Sequence, residues 1–311
     1  MNKAEKISFD NLIADISCTR LQNEEVPHFD FCKKMIRHKN LYYMLVSNFT
    51  GDEIFIYQDS GEFVNQIVFD GECIFLSSLL ISPDEKELWV ICGPNFLKKY
   101  ELNGKHKETV TFPFSCVDMI PLHDSHDVLM YDGDFNREWK HSFALTDFSS
   151  PPTKFYVGKK HNLSQHIPQS IFAANAANKK IFILPRLNDT IYLYNSEKEA
   201  MKPYFHLEFH GDFLTGEMTP KNGWSDKEMN DIITRKKYIH AVNSFYQTHD
   251  KLFFKLIGKN NDFCTINLKN HKPSMFDSLF DGYKPDSYFV GADLNTLYIV
   301  AREKSLIHHY E

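Results

Sequence analysis

In the stretch IFIYQDSGEF, Ile54 to Phe63, apolar residues alternate over the length of a strand, an Asp-Ser-Gly turn interrupts, and a second strand begins. The same succession recurs along the chain. LKKYELNGKH begins 43 residues later at Leu97, HSFALTDFSS 44 further on at His141, and IYLYNSEKEA 50 further at Ile191. CTINLKNHKP follows at Cys264 and LIHHYE at Leu306, 42 residues beyond it. The one irregular gap, 73 residues from Ile191 to Cys264, holds a non-strand insertion of roughly 25 residues whose removal restores a period of about 48.

Each copy has an apolar strand in front of it: LYYMLVSN from Leu41, ELWVICG from Glu87, DVLMYDG from Asp127, KIFILPR from Lys180, KLFFKLIG from Lys251 and TLYIVAR from Thr296. A further strand precedes each of these, as in FCKKMI and FLSSLLIS, and an outer strand such as EFVNQIVF or KHKETVTF follows the turn. Four short strands per repeat of 42–50 residues, in six copies, predict an all-β, six-bladed β-propeller spanning residues 1–311 as a single domain. Two β-sandwiches would require a composition break near the middle of the chain, and none is seen. The sixth repeat stops at Glu311 after its third strand, and LIADISCTRL, Leu12 to Leu21, has no other partner. That N-terminal strand is expected to complete the last blade and close the ring, which removes an exposed sheet edge.

The insertion, about residues 211–237, lies between blades four and five. In TPKNGWSDKEMNDIITRKKY, Ser225 and Glu228 form a capping-box pattern, and Met229, Ile232 and Ile233 make one apolar stripe. One short helix from about Asp226 to Lys236 is expected, lying over the mouth of the ring as a lid or a plug.

Composition narrows the function classes. Apolar residues make up 42% and charged residues 24%, a globular balance, and the 27 Phe and 15 Tyr favour strands. The formal charge is −6 without a Lys/Arg block, which argues against nucleic acid as a partner. No apolar run reaches membrane-spanning length. MNKAEKISFDNLIAD has no apolar core and does not read as a signal peptide, so the chain is expected to be cytosolic or a mature form. Cys18, Cys32, Cys73, Cys92, Cys116 and Cys264 include no Cys-x-x-Cys pair, and most sit in apolar strand contexts. Buried free thiols are expected rather than disulfides or metal ligands.

The blade pattern EIFIYQDSGEFVNQI, the segment DEKELWVICGPNFLKKYELNGKHKETVTFPF, and NDTIYLYN followed by KPYFHLEF together resemble the six-bladed β-propeller proteins abundant in Bacteroidetes, relatives of the NHL and TolB-like propellers. The resemblance covers essentially the whole chain. It departs where family members often carry a Gly-rich Gly-x-Gly-Pro-Gly-Glu-Tyr segment; here VFDGECIFLSS retains only Gly71 and Glu72. The resemblance implies a periplasmic or cell-surface protein, often a lipoprotein and sometimes connected with glycan uptake, and it brings no catalytic residues with it.

In a propeller the outer-to-inner connections and the second-to-third turns share one face, where ligands commonly bind around the axis. Those loops place Asn48, Arg137, Trp139, Arg186 and Arg302 as ligand-binding candidates, since arginines there can fork onto a carboxylate or phosphate. Trp224 in the insertion is a stacking platform for a sugar or peptide. Related propellers with lactonase-like chemistry hold calcium on the axis; the corresponding inner-strand residues here are Asp118, Asn175, Asn243 and Asp286. Histidines at 123 and 126, 161 and 166, and 206 and 210 are weaker metal candidates, the last pair because no carboxylate is seen to complete it. No Gly-x-Ser-x-Gly elbow or phosphate loop is present. The expected function is non-catalytic binding of a glycan, peptide or protein partner by a monomer without a cofactor. The alternative is a metal-dependent hydrolase or lyase with a site on the axis.

Overall fold

The computed structural model describes most of residues 29–299, with Glu5–Lys6 and part of 17–21; segments 1–4, 7–16, 22–28, 70–72, 134–139, 159–170, 175–179, 209–213, 219–224, 277–288 and 300–311, and scattered positions between them, lie outside the described residues. A two-residue strand β1 (Glu5–Lys6) comes first. Five meanders follow, each of four strands hydrogen-bonded in chain order. Blade one is β2 (Phe31–His38), β3 (Leu41–Asn48), β4 (Gly51–Gln58) and β5 (Phe63–Val68). Blade two is β6 (Leu76–Ile81), β7 (Glu87–Cys92), β8 (Phe96–Glu101) and β9 (His106–Thr111). Blade three is β10 (Asp118–Pro121), β11 (Val128–Tyr131), β12 (His141–Thr146) and β13 (Lys154–Gly158). Blade four is β14 (Phe172–Ala174), β15 (Lys180–Ile183), β16 (Thr190–Asn195) and β17 (Ala200–His206). The helix α1 (Asp226–Thr234) precedes blade five, which is β18 (Ala241–Gln247), β19 (Lys251–Ile257), β20 (Phe263–Asn267) and β21 (Pro273–Phe276). A sixth sheet pairs β22 (Phe289–Ala292) with β23 (Leu297–Ile299). The architecture is that of an all-β propeller, with five full blades and a partial sixth among the described residues.

The chain divides into two compact units, residues Ser17–Lys159 with blades one to three, and Met1–Ile16 with Lys160–Glu311 carrying the rest. Within each unit the blades pack face to face, and alternation along a strand decides which neighbour each side chain meets. In β7, Leu88, Val90 and Cys92 join Tyr43, Leu45, Ile54 and Ile56 of blade one in one apolar cluster. Trp89 and Ile91, the alternate residues, join Met119, Val128, Met130 and Ala144 of blade three in another. In the second unit, Leu252, Phe254 and Leu256 of β19 pack with Phe182, Leu184 and Ile191 of blade four. Phe253 faces the other way, with Phe263 and Phe276, towards Leu297 and Ile299 of the sixth sheet. Each fully buried side chain of this kind contributes about 1.5–3 kcal/mol. The outer strands have no such second neighbour, and β9 is exposed at nearly every position.

Gly61 explains the Asp-Ser-Gly turn of blade one. Its φ is +87°, and a Cβ there would stand 2.1 Å from the carbonyl oxygen of Arg20, so only glycine fits both the backbone and the close approach. The N-terminal segment therefore runs against this turn. The closing strand expected over Leu12–Leu21 lies mostly outside the described residues; Ser17 and Thr19–Leu21 are not in a strand. The N-terminal pairing that is present is β1 parallel to β21, with Glu5 beside Ser274.

The insertion has the helix that its capping box predicts, ending at Thr234, two residues short of Lys236. The Glu228 N–H donates to the Ser225 hydroxyl at 3.3 Å and the Ser225 N–H donates to the Glu228 carboxylate at 2.9 Å, the reciprocal pair the pattern requires. The Ser225 hydroxyl also donates to the Glu228 carboxylate at 2.6 Å, and this bond, with the one from the Ser225 N–H, holds the carboxyl below its ordinary value. At its base, the buried Leu214 N–H donates to the buried Ile239 carbonyl at 2.8 Å, so the excursion leaves and rejoins the blades at one point.

The cysteines correct one expectation. Cys32, Cys116 and Cys264 are buried free thiols as expected, and burial pushes Cys32 up to about 12. Cys73 and Cys92 instead form a disulfide, with Cα atoms 5.4 Å apart. Cys73, between β5 and β6, thereby meets the end of β7, where Cys92 is buried in the apolar cluster. Closing a loop of this size is worth about 3 kcal/mol. The C73A/C92A double variant should lose about that much in urea denaturation. Alkylation of the unfolded, unreduced protein should spare Cys73 and Cys92 while modifying Cys32, Cys116 and Cys264, with Cys18 outside the described residues; labelling of Cys73 and Cys92 would refute the pairing.

Candidate functional site

The inner strands deliver polar residues in adjacent pairs, which a regular strand cannot do on one face. The register of β2 slips between Cys32 and Lys34, and that of β6 between Leu76 and Ser78. Similar slips occur in β18 between Asn243 and Tyr246 and in β22 between Phe289 and Gly291. Each is a β-bulge, which inserts an extra residue and redirects the side chains beside it. In β2 the result is that Lys33 and Lys34 both reach towards β6.

The Lys33 ammonium donates to Asp52 Oδ2 at 2.6 Å and to the Leu76 carbonyl at 3.4 Å. Asp52 lies in β4 just after the turn from β3, and it also accepts bonds from the Leu76 N–H at 2.8 Å and from the Ser47 hydroxyl. Burial alone would raise the Asp52 carboxyl; the three hydrogen bonds and the Lys33 charge outweigh it and hold the group below its ordinary value. The Lys34 ammonium donates to Ser78 Oγ at 2.9 Å, and Ser78 donates to Asp118 Oδ1 at 2.6 Å. Asp118 also accepts the Met119 N–H at 3.0 Å and stands 3.7 Å from the Lys34 ammonium. One polar line thus crosses the leading ends of β2, β6 and β10, on the face that holds the outer-to-inner connections. The carboxylates are covered, at 11% and 13% side-chain exposure, while the lysines keep 31% and 29%. Along this line it is the lysine side chains that stay open to solvent.

The Lys34–Ser78–Asp118 line joins side chains of β2, β6 and β10. The serine proton points at a carboxylate, its oxygen accepts from an ammonium, and that ammonium stands 3.7 Å from Asp118. Its chemistry is that of a strut binding three blades and of a cationic rim.

Of the sequence candidates, Asp118 lies in this line. Asn48 ends β3, where its Oδ1 accepts the Gly51 N–H at 3.0 Å and shapes the turn. Asn243 sits at the β18 bulge, with its Oδ1 accepting the N–H of Ser244, whose φ is +56°. Arg137, Trp139, Asn175, Arg186, Trp224, Asp286 and Arg302 lie outside the described residues. The pairing of β16 with β17 brings Asp189 Oδ1 to 3.6 Å from His206 Nδ1, one carboxylate rather than a ligand set, and His210 lies outside the described residues. Among the described residues no group of three His, Cys, Asp or Glu side chains converges. Lys33, Lys34, Ser78 and Asp52 were missed, although the doublets Lys33-Lys34 and Ser77-Ser78 in otherwise apolar inner strands signal the bulges.

A family model for a six-bladed β-propeller matches residues 1–294. No curated protein matches the chain. Among solved structures, a candidate exported protein from Bacteroides fragilis is similar with a TM-score of 0.68 at 18% identity, over 84% of this chain and 75% of the other. A member of the DUF4221 family from Bacteroides vulgatus is similar with a TM-score of 0.54 at 12% identity, over 85% of each chain. At these identities the likeness is one of fold.

The Asp52 pairing carries a pH signature. Because its folded pKa is lowered, its contribution is complete above the ordinary carboxylate value and is lost as pH falls through the folded one. The D52N variant should lose about 2 kcal/mol at pH 7 in urea denaturation. Its deficit relative to wild type should shrink below about pH 4, and a deficit independent of pH would contradict the assignment.

Proposed function

The chain belongs to the DUF5128 family of six-bladed β-propellers, and from that membership we propose that it is a non-catalytic binding module, exported to the periplasm or cell surface, that takes a glycan, peptide or protein ligand on the face carrying the second-to-third turns. The observation that carries this reading is the cationic rim, where Lys33 and Lys34 are fixed by covered carboxylates yet remain partly open. Lysines held in this way can bind a ligand carboxylate or a polarised oxygen with little further ordering. Trp224, Arg186, Arg302, Arg137, Trp139 and Asn48 are assigned to the same face, with the tryptophans as stacking surfaces and the arginines as forks. The assignment follows the place of their loops in the blade repeat.

Export is supported by two observations. The Bacteroides fragilis neighbour is described as a candidate exported protein. The Cys73–Cys92 disulfide is of the kind that persists in oxidising compartments.

A thermal-shift screen against oligosaccharides, peptides and divalent metals, each with and without chelator, tests the reading. A ligand present at a hundred times its dissociation constant stabilises by about 2.7 kcal/mol, which displaces a melting curve visibly. The expected result is a shift with a sugar or peptide, insensitive to chelator and diminished in W224A and R186A. A chelator-sensitive shift with Ca²⁺ would overturn the non-catalytic reading and direct attention to Asp118, Asn175, Asn243 and Asp286.

A further inference from the structure

The outer strand of each blade presents an edge whose backbone groups can pair with another chain unless something blunts it. Lys107 and Glu108 stand in β9, Lys154 opens β13, and Lys202 and Pro203 interrupt β17. β21 begins with Pro273 and is covered by β1, so an outer edge of this fold does accept an added strand. β5 has none of these devices. From Phe63 to Phe69 the chain reads FVNQIVF, without a charge, a proline or a glycine. No strand lies beyond β5 among the described residues. An uncharged, β-prone run on an open edge is a template for pairing.

The ladder sets what this edge presents. Tyr57 pairs with Phe63 and Ile56 with Asn65, so Val64 is the extra residue of a bulge. β9 and β17 carry similar slips, so the bulge does not distinguish β5 from them. Asn65 to Val68 then pair regularly with β4. Asn65 and Ile67 turn to blade two, where Asn65 Nδ2 donates to the Asn103 carbonyl at 2.7 Å and Ile67 joins the apolar cluster. Gln66 and Val68 turn the other way. Val64 and Val68 are left 43% and 66% exposed, apolar side chains beside unpaired backbone.

Charge selects the occupant. Glu62 precedes the strand at one end and is exposed; Glu53 lies opposite Val68 at the other. Glu53 is 7% exposed, and its carboxylate accepts from the Gln66 amide at 2.9 Å. Among the described residues no cation pairs with either carboxylate. A covered carboxylate whose partner is an amide still gains from a nearby cation. A second copy brings the wrong charges. A two-fold axis through β5 runs the two strands antiparallel and sets the Glu62 end of one beside the Glu53 end of the other. We propose that the outer edge of β5 takes, by strand addition, an extended segment of a partner protein with alternating β-branched residues and a basic residue at each end. The stretch from Glu62 to Val68 is about 20 Å long, which sets the segment at about seven residues. Backbone bonds supply the affinity, and Val64, Val68 and the two carboxylates supply the selection. The inference does not rest on the reading of the cationic rim on β2 and β6.

Fluorescence anisotropy of a labelled, C-terminally amidated peptide, Lys-Val-Thr-Val-Thr-Val-Lys, against the full chain tests it. Wild type should bind this peptide about tenfold or more tightly than its Glu-ended counterpart, with affinity falling as salt rises. Proline in place of the central valine should abolish binding, because the added strand loses a backbone donor. V68K sets a cation on the exposed edge and should weaken the Lys-ended peptide about tenfold while leaving the circular dichroism unchanged. E62Q, also at an exposed position, should narrow the preference for the Lys-ended peptide and serves if V68K is poorly folded. Absence of binding in wild type, equal binding of the two peptides, or undiminished binding in both variants would overturn the proposal. A wild-type dimer in analytical ultracentrifugation that V68K dissociates would overturn it too, by giving the edge to a second copy.

Discussion

Burial of the middle strands on both faces is the constraint from which the rest of this structure follows. A sheet packed between two others has no solvent side, so its second and third strands must be apolar at successive positions. β4 is buried from Glu53 to Tyr57 and β7 from Leu88 to Cys92. Such runs give up the polar alternation of a half-exposed strand, and consecutive residues serve different partners. Trp89 and Val90 are neighbours in the chain and belong to different blade interfaces. Polarity is displaced to the outer strands, the turns and the leading ends of the inner strands, where the cationic rim forms.

This constraint also sets what could be read in advance. The blades were legible because each repeats a pair of doubly buried runs followed by an exposed outer strand, at nearly constant spacing. The helix of the insertion was legible from the Ser225–Glu228 capping box and the stripe of Met229, Ile232 and Ile233, since both are local signals. Asp118 was visible as a polar residue opening an inner strand, but its partners were not. Whether Lys34 reaches Ser78 depends on bulges in β2 and β6, and a bulge is a property of two paired strands rather than of one.

Long-range pairings were the least legible. Cys73 meets Cys92 across two elements of the chain, and nothing in the spacing of 19 residues requires this. β1 consists of Glu5 and Lys6, a dipeptide without any strand signal, and its place on β21 comes from the free edge it finds there. The His206 carboxylate partner, Asp189, is likewise supplied by a neighbouring strand. Thr265 looks like an ordinary polar residue in CTINLKN; only the sheet shows that its side chain is enclosed.

The neck of the insertion has an evolutionary consequence. Leu214 and Ile239 are both buried and joined through the backbone, so everything between them hangs from one fixed junction. Blade five starts from the same position whatever the intervening segment contains. Lineages can therefore lengthen, shorten or exchange that segment while the blades inherit their packing unchanged.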